Sequence, residues 1–283
     1  MKSIFFGDFP SKYADPKRAK IAILPIPYDG TSTYGKGADK GPGAIIAASY
    51  YLENYDIETQ TEVYKHGIYV EKPVKENSSP EKMVAAVQKR VSEIIAKDKF
   101  CISLGGEHSI TPGSVYAHAK KYENLSVLQL DAHTDMREEY HGSKNNHACA
   151  MARVKEVCPV VQVGIRSLDI GEMDNISPER VFFAKDIYDN DVWMDSAIQK
   201  LNKNVYVTID LDVLDPAFMP STGTPEPGGL DWYRVLKFLK KVTEARTIVG
   251  FDVVELAPKK GVPAPDFLAA KLVYTLLSYI FAK

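Results

Sequence analysis

The stretch Leu128–Asp135, L-Q-L-D-A-H-T-D, constrains this chain more than any other. An apolar run, Val127–Leu130, stops at three ionisable residues, Asp131, His133 and Asp135. At spacing i, i+2, i+4 they share one face of an extended backbone. Two carboxylates and an imidazole converging on one point make a donor set for a divalent cation. A solvated turn after a strand would explain a single Asp here, but not the D-x-H-x-D set.

Three further segments repeat the pattern. Val205–Ile209 ends in Asp210, Asp212 and Asp215, with Pro216 following. Phe100–Leu104 ends in Gly105-Gly106-Glu107-His108, where the glycines allow a tight turn that brings His108 close. Thr247–Phe251 ends in Asp252 and Glu255. Open parallel α/β sheets place ligand sites at the C-terminal ends of their strands. A lone histidine is usually structural, but His108 joins three other strand ends and reads as a ligand. Asp215, before a proline, reads as shaping its turn.

Composition removes several alternatives. The net charge of -2, without a basic tract, gives nucleic acid no electrostatic footing. No run reaches the roughly 18 apolar residues of a membrane span. Met1–Pro10 lacks the apolar stretch of a signal peptide. The 3 cysteines, Cys101, Cys149 and Cys158, lack paired spacing, which fits a reducing, cytoplasmic compartment better than a disulfide framework.

Strand and helix patterns alternate throughout. Strands are expected at Ile21–Ile26, Phe100–Leu104, Ser126–Leu130, Val160–Val163, around Phe182, at Val205–Ile209 and at Thr247–Phe251. Helices are expected at Gly43–Leu52, from Ser79-Pro80-Glu81 onward, and at Pro112–Lys121, Ala148–Lys155, Trp193–Leu201, Leu230–Ala245 and Ala264–Ala282. The loop Asp29–Gly37 nearly matches a phosphate loop, but Gly37 stands where a hydroxyl should hold magnesium, so it reads as a glycine-rich loop. With no repeat or linker, residues 1–283 read as one α/β domain.

Together, G-G-E-H-S at 105–109, D-A-H-T-D at 131–135 and T-I-D-L-D-V-L-D-P at 208–216 resemble the ureohydrolase (arginase–agmatinase) superfamily. The resemblance spans nearly the whole chain. It implies a three-layer α/β/α sandwich with a mostly parallel sheet of about eight strands, two manganese ions, and a homo-oligomer, trimer or hexamer. His108, Asp131, Asp135 and Asp210 would hold one ion, and Asp131, His133, Asp210 and Asp212 the other. Asp131 and Asp210 would bridge them. Pro27–Lys36 with Gly41-Pro42, and the segment 221–229, look like the agmatinase branch. His147, rather than His141, matches the family's loop histidine, and Glu255 the acid that holds the guanidinium. Arginases carry an asparagine- and serine-bearing segment after D-A-H-x-D. Here Met136-Arg137-Glu138-Glu139 stands there, resembling the form that takes a decarboxylated substrate.

The chemistry so implied is hydrolysis of a small guanidino compound, agmatine giving urea and putrescine, by a hydroxide bridging two cations. Oxygen-rich ligation suits manganese over zinc, with cobalt and iron as alternatives. Asp135 would take the hydroxide's proton and pass it to the leaving amine. His147, with an ordinary pKa near 6.5, would shuttle protons to solvent. Guanidinobutyrase, formimidoylglutamase or arginase activity is the alternative within the class. A single-zinc deacetylase-like enzyme and a non-catalytic metal-binding protein lie outside it.

Overall fold

Buried apolar runs alternating with amphipathic segments give eight strands in the computed structural model, which describes residues 5–282. The ends of the expected domain, residues 1–4 and Lys283, lie outside the described residues. The strands are β1 (Ile21–Ile26), β2 (Ile68–Val70), β3 (Phe100–Gly105), β4 (Leu125–Leu130), β5 (Val160–Ile165), β6 (Val181–Phe183), β7 (Asn204–Asp210) and β8 (Thr247–Val254). The helices are α1 (Gly41–Ser49), α2 (Pro80–Ile95), α3 (Thr111–Lys121), α4 (Ala150–Lys155), α5 (Ala184–Ile187), α6 (Val192–Lys200), α7 (Trp232–Ala245) and α8 (Ala264–Phe281).

The sheet order is β2-β1-β3-β8-β7-β4-β5-β6, and every pairing is parallel. Helices cover both faces, so the strands are buried on both sides. Side chains alternate between two cores. Ile21 and Ile23 pack with residues of α1, α6, α7 and α8, whereas Ala22, Leu24 and Ile26 pack with residues of α2 and α3. This is a three-layer α/β/α arrangement. The four strands that carry the candidate ligands, β3, β8, β7 and β4, are consecutive neighbours at its centre.

Local signals set the helix ends. Ser79 caps α2 by accepting from Lys82 N, with Pro80 in the first turn, and Val84, Val87, Val91 and Ile94 are buried. Asp231 caps α7 in the same way, so that helix begins at Trp232 rather than Leu230. α8 is long and apolar enough to cross a membrane by length and composition, yet 61% of that window is buried inside the fold. Tyr274, Thr275 and Ser278 are buried along with Leu272, Val273, Leu276 and Leu277, so α8 is a core helix wrapped on most sides. Ile280, near its C-terminal end, is only partly buried.

Other expectations shift. β2 was not anticipated, because three residues carry too little periodicity. α1 stops at Ser49, short of Leu52. β8 runs on to Val254, which places Asp252 inside the strand rather than at its end.

Candidate metal centre

At the C-terminal edge of the central strands, side chains from four segments meet. His108 Nδ1 lies 3.2 Å from Asp131 Oδ2, 3.0 Å from Asp135 Oδ2 and 3.5 Å from Asp210 Oδ2. His133 Nδ1 lies 3.0 Å from Asp212 Oδ2 and 3.6 Å from Asp131 Oδ1. Two sets of ligand atoms therefore converge, His108–Asp131–Asp135 and Asp131–His133–Asp212, and Asp131 belongs to both. Asp210 sits in neither tight set but borders the first through His108.

The backbone brings these groups together differently from a single extended face. β4 ends at Leu130; His133 makes only an isolated bridge to Ser167, and Asp135 adopts a left-handed φ of 52°. Asp135 thus returns toward His108 through a turn, with its carbonyl accepting from Met151 and Ala152 N. Asp210 caps a short turn, and its Oδ1 accepts from Asp212 N at 2.9 Å. Glu255 also has a left-handed φ, 68°, and its Oε1 accepts from His108 N at 2.8 Å. Such backbone strain in non-glycine residues concentrates at functional sites. The glycine pair at the end of β3, Gly105-Gly106, acts by close approach rather than by an unusual φ. A Cβ on Gly106 would lie 1.9 Å from the Tyr28 carbonyl oxygen.

Below the ligands runs a row of polar side chains that the apolar strand pattern concealed. Ser103, Asp252, Thr208, Gln129 and Gln162 occupy consecutive registers across β3, β8, β7, β4 and β5. Gln129 donates to Asp131 Oδ2 at 2.6 Å and to the His133 carbonyl, and accepts from Gln162. Thr208 donates to Asp252 Oδ1 at 2.6 Å and faces His108 Nε2 at 2.8 Å. The available sequence signal was a polar residue two positions before Asp131 and Asp210 in otherwise apolar strands. Arg166, also missed, donates to the carbonyls of Asp212, Glu226 and Pro227, pinning the 221–229 loop beside the site. Asp215 accepts from Ala217, Gly228 and Gly229 N and holds the same loop.

A test of fit for a cation comes from His108. The hydroxyl of Thr208 has one proton, and Asp252 takes it. The 2.8 Å contact to His108 Nε2 is therefore an N–H donated by the ring. That leaves Nδ1 as a buried lone pair without a hydrogen-bond partner, facing three carboxylates. Acceptors gathered around a common point need a positive charge between them. In the bare protein only protons could supply it. Burial alone would push both histidines down, but the carboxylates of Asp131, Asp135 and Asp210 hold His108 well above its usual range, and Asp212 with Asp131 raises His133 to about 12. Burial, then the Asp131 charge, lifts Asp135 to about 7, and burial with Asp212 and Asp131 lifts Asp210 well above the carboxylate range. A divalent cation relieves all of these together. The donors, chiefly oxygen with two imidazoles, fit a pair of hard or borderline cations, and the outer hydrogen bonds are those that ligating residues need.

A cavity of about 240 Å³ opens onto this cluster, lined among others by Asp135, His147, Glu255, Arg137, Tyr140 and Asp169. His147 lines it, while His141 is exposed and turned onto Tyr140. The environment of His147 differs from the expected ordinary imidazole. Burial, with the charges of His108 and His133, pushes it down to about 4, so its ring is neutral at pH 7. Glu255 is buried and held well above its usual range by burial and by the nearby Glu107. Arg137 does not reach into the cavity as a free cation. It lies 3.3 Å from Glu172, 3.4 Å from Asp169, and against the Tyr140 ring. Cys101, Cys149 and Cys158 are free and buried.

Comparison with known proteins agrees with this geometry. The family described as the Arginase family matches residues 19–278. The chain is 40% identical over 280 residues to an N(1)-aminopropylagmatine ureohydrolase of Synechocystis sp., covering 95% of this chain and 90% of that protein. It is 34% identical to an agmatinase of Pyrococcus horikoshii, over 93% of each chain. Its structure superposes on the agmatine ureohydrolase of Thermoplasma volcanium with a TM-score of 0.86 at 30% identity, covering 100% of this chain and 95% of that one.

Proposed function

The chain belongs to the arginase family, and on that premise we propose that it hydrolyses the guanidinium end of a guanidino-amine, agmatine in the first instance, to urea and an amine. The observation that carries the choice of substrate is the charge of the cavity wall. Beyond Asp135, Asp210 and Asp212, which would hold the cations, and Glu255, which would hold the guanidinium, the wall carries Asp169 and Glu172, and its one arginine, Arg137, is already paired to both. A substrate ending in an ammonium is favoured there. One ending in a carboxylate would meet like charge with no free cation to offset it, which costs several kcal/mol. The relative that acts on an aminopropyl-extended agmatine supports a second, longer amine of the same class. Tyr34, which lines the cavity, is 82% exposed and offers a ring at the rim against which a longer chain would lie.

Two cations, when bound, would lower the pKa of a water and supply a nucleophile near neutral pH. Manganese would suit the donor set best; His108, Asp131, Asp135 and Asp210 would hold one ion and Asp131, His133, Asp210 and Asp212 the other. Glu255 pairs with the guanidinium and sets its carbon at attacking distance. Asp135 accepts the proton of the attacking water and returns it to the departing nitrogen. The carbon–nitrogen bond to the alkyl chain breaks, the water oxygen stays on urea, and the neutral amine that leaves takes up the second water proton, released from the urea oxygen, to become an ammonium. His147 exchanges protons between the cavity and solvent. The enzyme would act as a single catalytic domain in a cytoplasmic homo-oligomer, where agmatine hydrolysis feeds polyamine synthesis.

The test is urea release after manganese loading, from agmatine, N-aminopropylagmatine, arginine and 4-guanidinobutyrate. The amines should exceed the guanidino acids by about 100-fold or more in kcat/KM. Preference for 4-guanidinobutyrate or arginine would refute the charge reading.

A further inference from the structure

Glu107 is completely buried, neighbours the cluster without ligating, and has no part in the chemistry above. Both of its oxygens are nonetheless hydrogen-bonded. Oε2 accepts from Ser109 N at 3.1 Å, and Oε1 accepts from Thr31 N at 3.1 Å and from the Thr31 hydroxyl at 2.8 Å. Burial pushes the Glu107 carboxyl up, but two of its three donors, Thr31 N–H and Ser109 N–H, can only donate, so both of its oxygens serve as acceptors. The same Thr31 hydroxyl accepts from His147 N at 3.0 Å and stands 3.2 Å from His147 Nδ1. The close approach that permits this depends on Gly106, packed against the Tyr28 carbonyl, and on Glu107 N donating to that carbonyl at 2.9 Å.

We propose that Glu107, acting through Thr31, fixes His147 as the Nδ1–H tautomer and so presents Nε2 to the cavity as a proton acceptor. A hydroxyl has one proton and two lone pairs. Thr31 commits its proton to Glu107 and one lone pair to His147 N. The contact with Nδ1 is made through the second lone pair, so the proton in it comes from the ring. Nε2 forms no hydrogen bond with any described residue and carries the free lone pair. Glu107 and Thr31 are thus positioning residues, holding one orientation and one tautomer of a ring that exchanges protons. The loop Asp29–Gly37, which nearly matched a phosphate loop, serves here to carry Thr31. The inference rests on the function proposed for His147, but its test can be separated from that reading.

The chain has 6 histidines, and ring nitrogens of selectively 15N-labelled protein report the tautomer of each. The protein would be loaded with diamagnetic zinc, and His147→Asn would assign the signal. Wild type should show His147 with Nδ1 protonated and Nε2 bare. Thr31→Val should lose that preference, and Thr31→Ser should keep it. In turnover, Thr31→Val should lower kcat about 10- to 100-fold with KM within about twofold, and Thr31→Ser should recover it. A wild-type ring protonated on Nε2 would mean that Glu107 is the acid and every bond in the chain runs the other way, which overturns the proposal. So would an unchanged tautomer in Thr31→Val. Should Thr31→Val not fold, the wild-type spectrum alone decides. If no guanidino-amine is turned over, the functional reading fails while the tautomer remains readable.

Discussion

Replacing Thr208 with valine removes one oxygen, keeps the shape of the side chain, and tests whether the polar row beneath the ligands governs the metal site. In the native chain His108 Nε2–H donates to Thr208 at 2.8 Å, and Thr208 donates to Asp252 at 2.6 Å. The variant leaves a buried ring N–H without a partner, at about 1–3 kcal/mol. Asp252 keeps two of its three donors, Tyr206 at 2.8 Å and Thr111 at 2.9 Å, so the loss falls mainly on His108. A ring no longer held by its outer nitrogen presents Nδ1 less accurately and less basically. Loss of such an outer partner weakens metal affinity by about 10- to 100-fold, or about 1.4–2.8 kcal/mol, which matches the hydrogen-bond figure. Calorimetric titration of metal-stripped protein with manganese should show that weakening at one of two sites. The His133–Asp212 side should change less, and Thr208→Ser should bind within about threefold of wild type. If Thr208→Val takes up both ions with native affinity, the row does not support the ligands and the argument from His108 fails.

His118 is buried, stacked on Tyr122 and tilted against Tyr206, and pushed down to about 4 by burial. A base whose folded pKa lies below its unfolded value of about 6.5 stabilises fully above 6.5, and that contribution is lost as pH falls toward 4; the span corresponds to about 3 kcal/mol. Denaturant unfolding of wild type and His118→Gln between pH 7 and 4.5 should show a shallower loss in the variant, and parallel curves would contradict this. Glu255→Ala should leave both cations bound and raise KM for agmatine steeply, as read by metal analysis beside urea release. Wild-type kinetics in that variant would remove Glu255 from the site.

The ligand groups were legible because they end apolar runs, and a run that stops on Asp or His at several strand ends has few structural excuses. Their convergence was not legible in detail. It depends on strand order, which places β8 and β7 between β3 and β4 although they come last in the chain, and long-range pairing of that kind leaves no local trace. Asp135 and Glu255 reach the site through left-handed backbone that no propensity predicts for an acid. Gln129 and Thr208 were read as members of apolar strands, because one polar residue scarcely changes a periodic pattern. Their meaning appears only when the registers align them with Asp252 and Gln162. Thr31 and His147 are 116 positions apart, and only the folded loop joins them.

Electron paramagnetic resonance of the manganese-loaded protein, with metal content per chain measured on the same sample, addresses the cation pair most directly. Two ions held about 3.5–4 Å apart by shared carboxylates should give an exchange-coupled signal at two manganese per chain, and Asp131→Ala, which removes the residue common to both ligand sets, should abolish the coupling. A single uncoupled ion in the wild type, or an intact coupled pair in Asp131→Ala, would contradict the account.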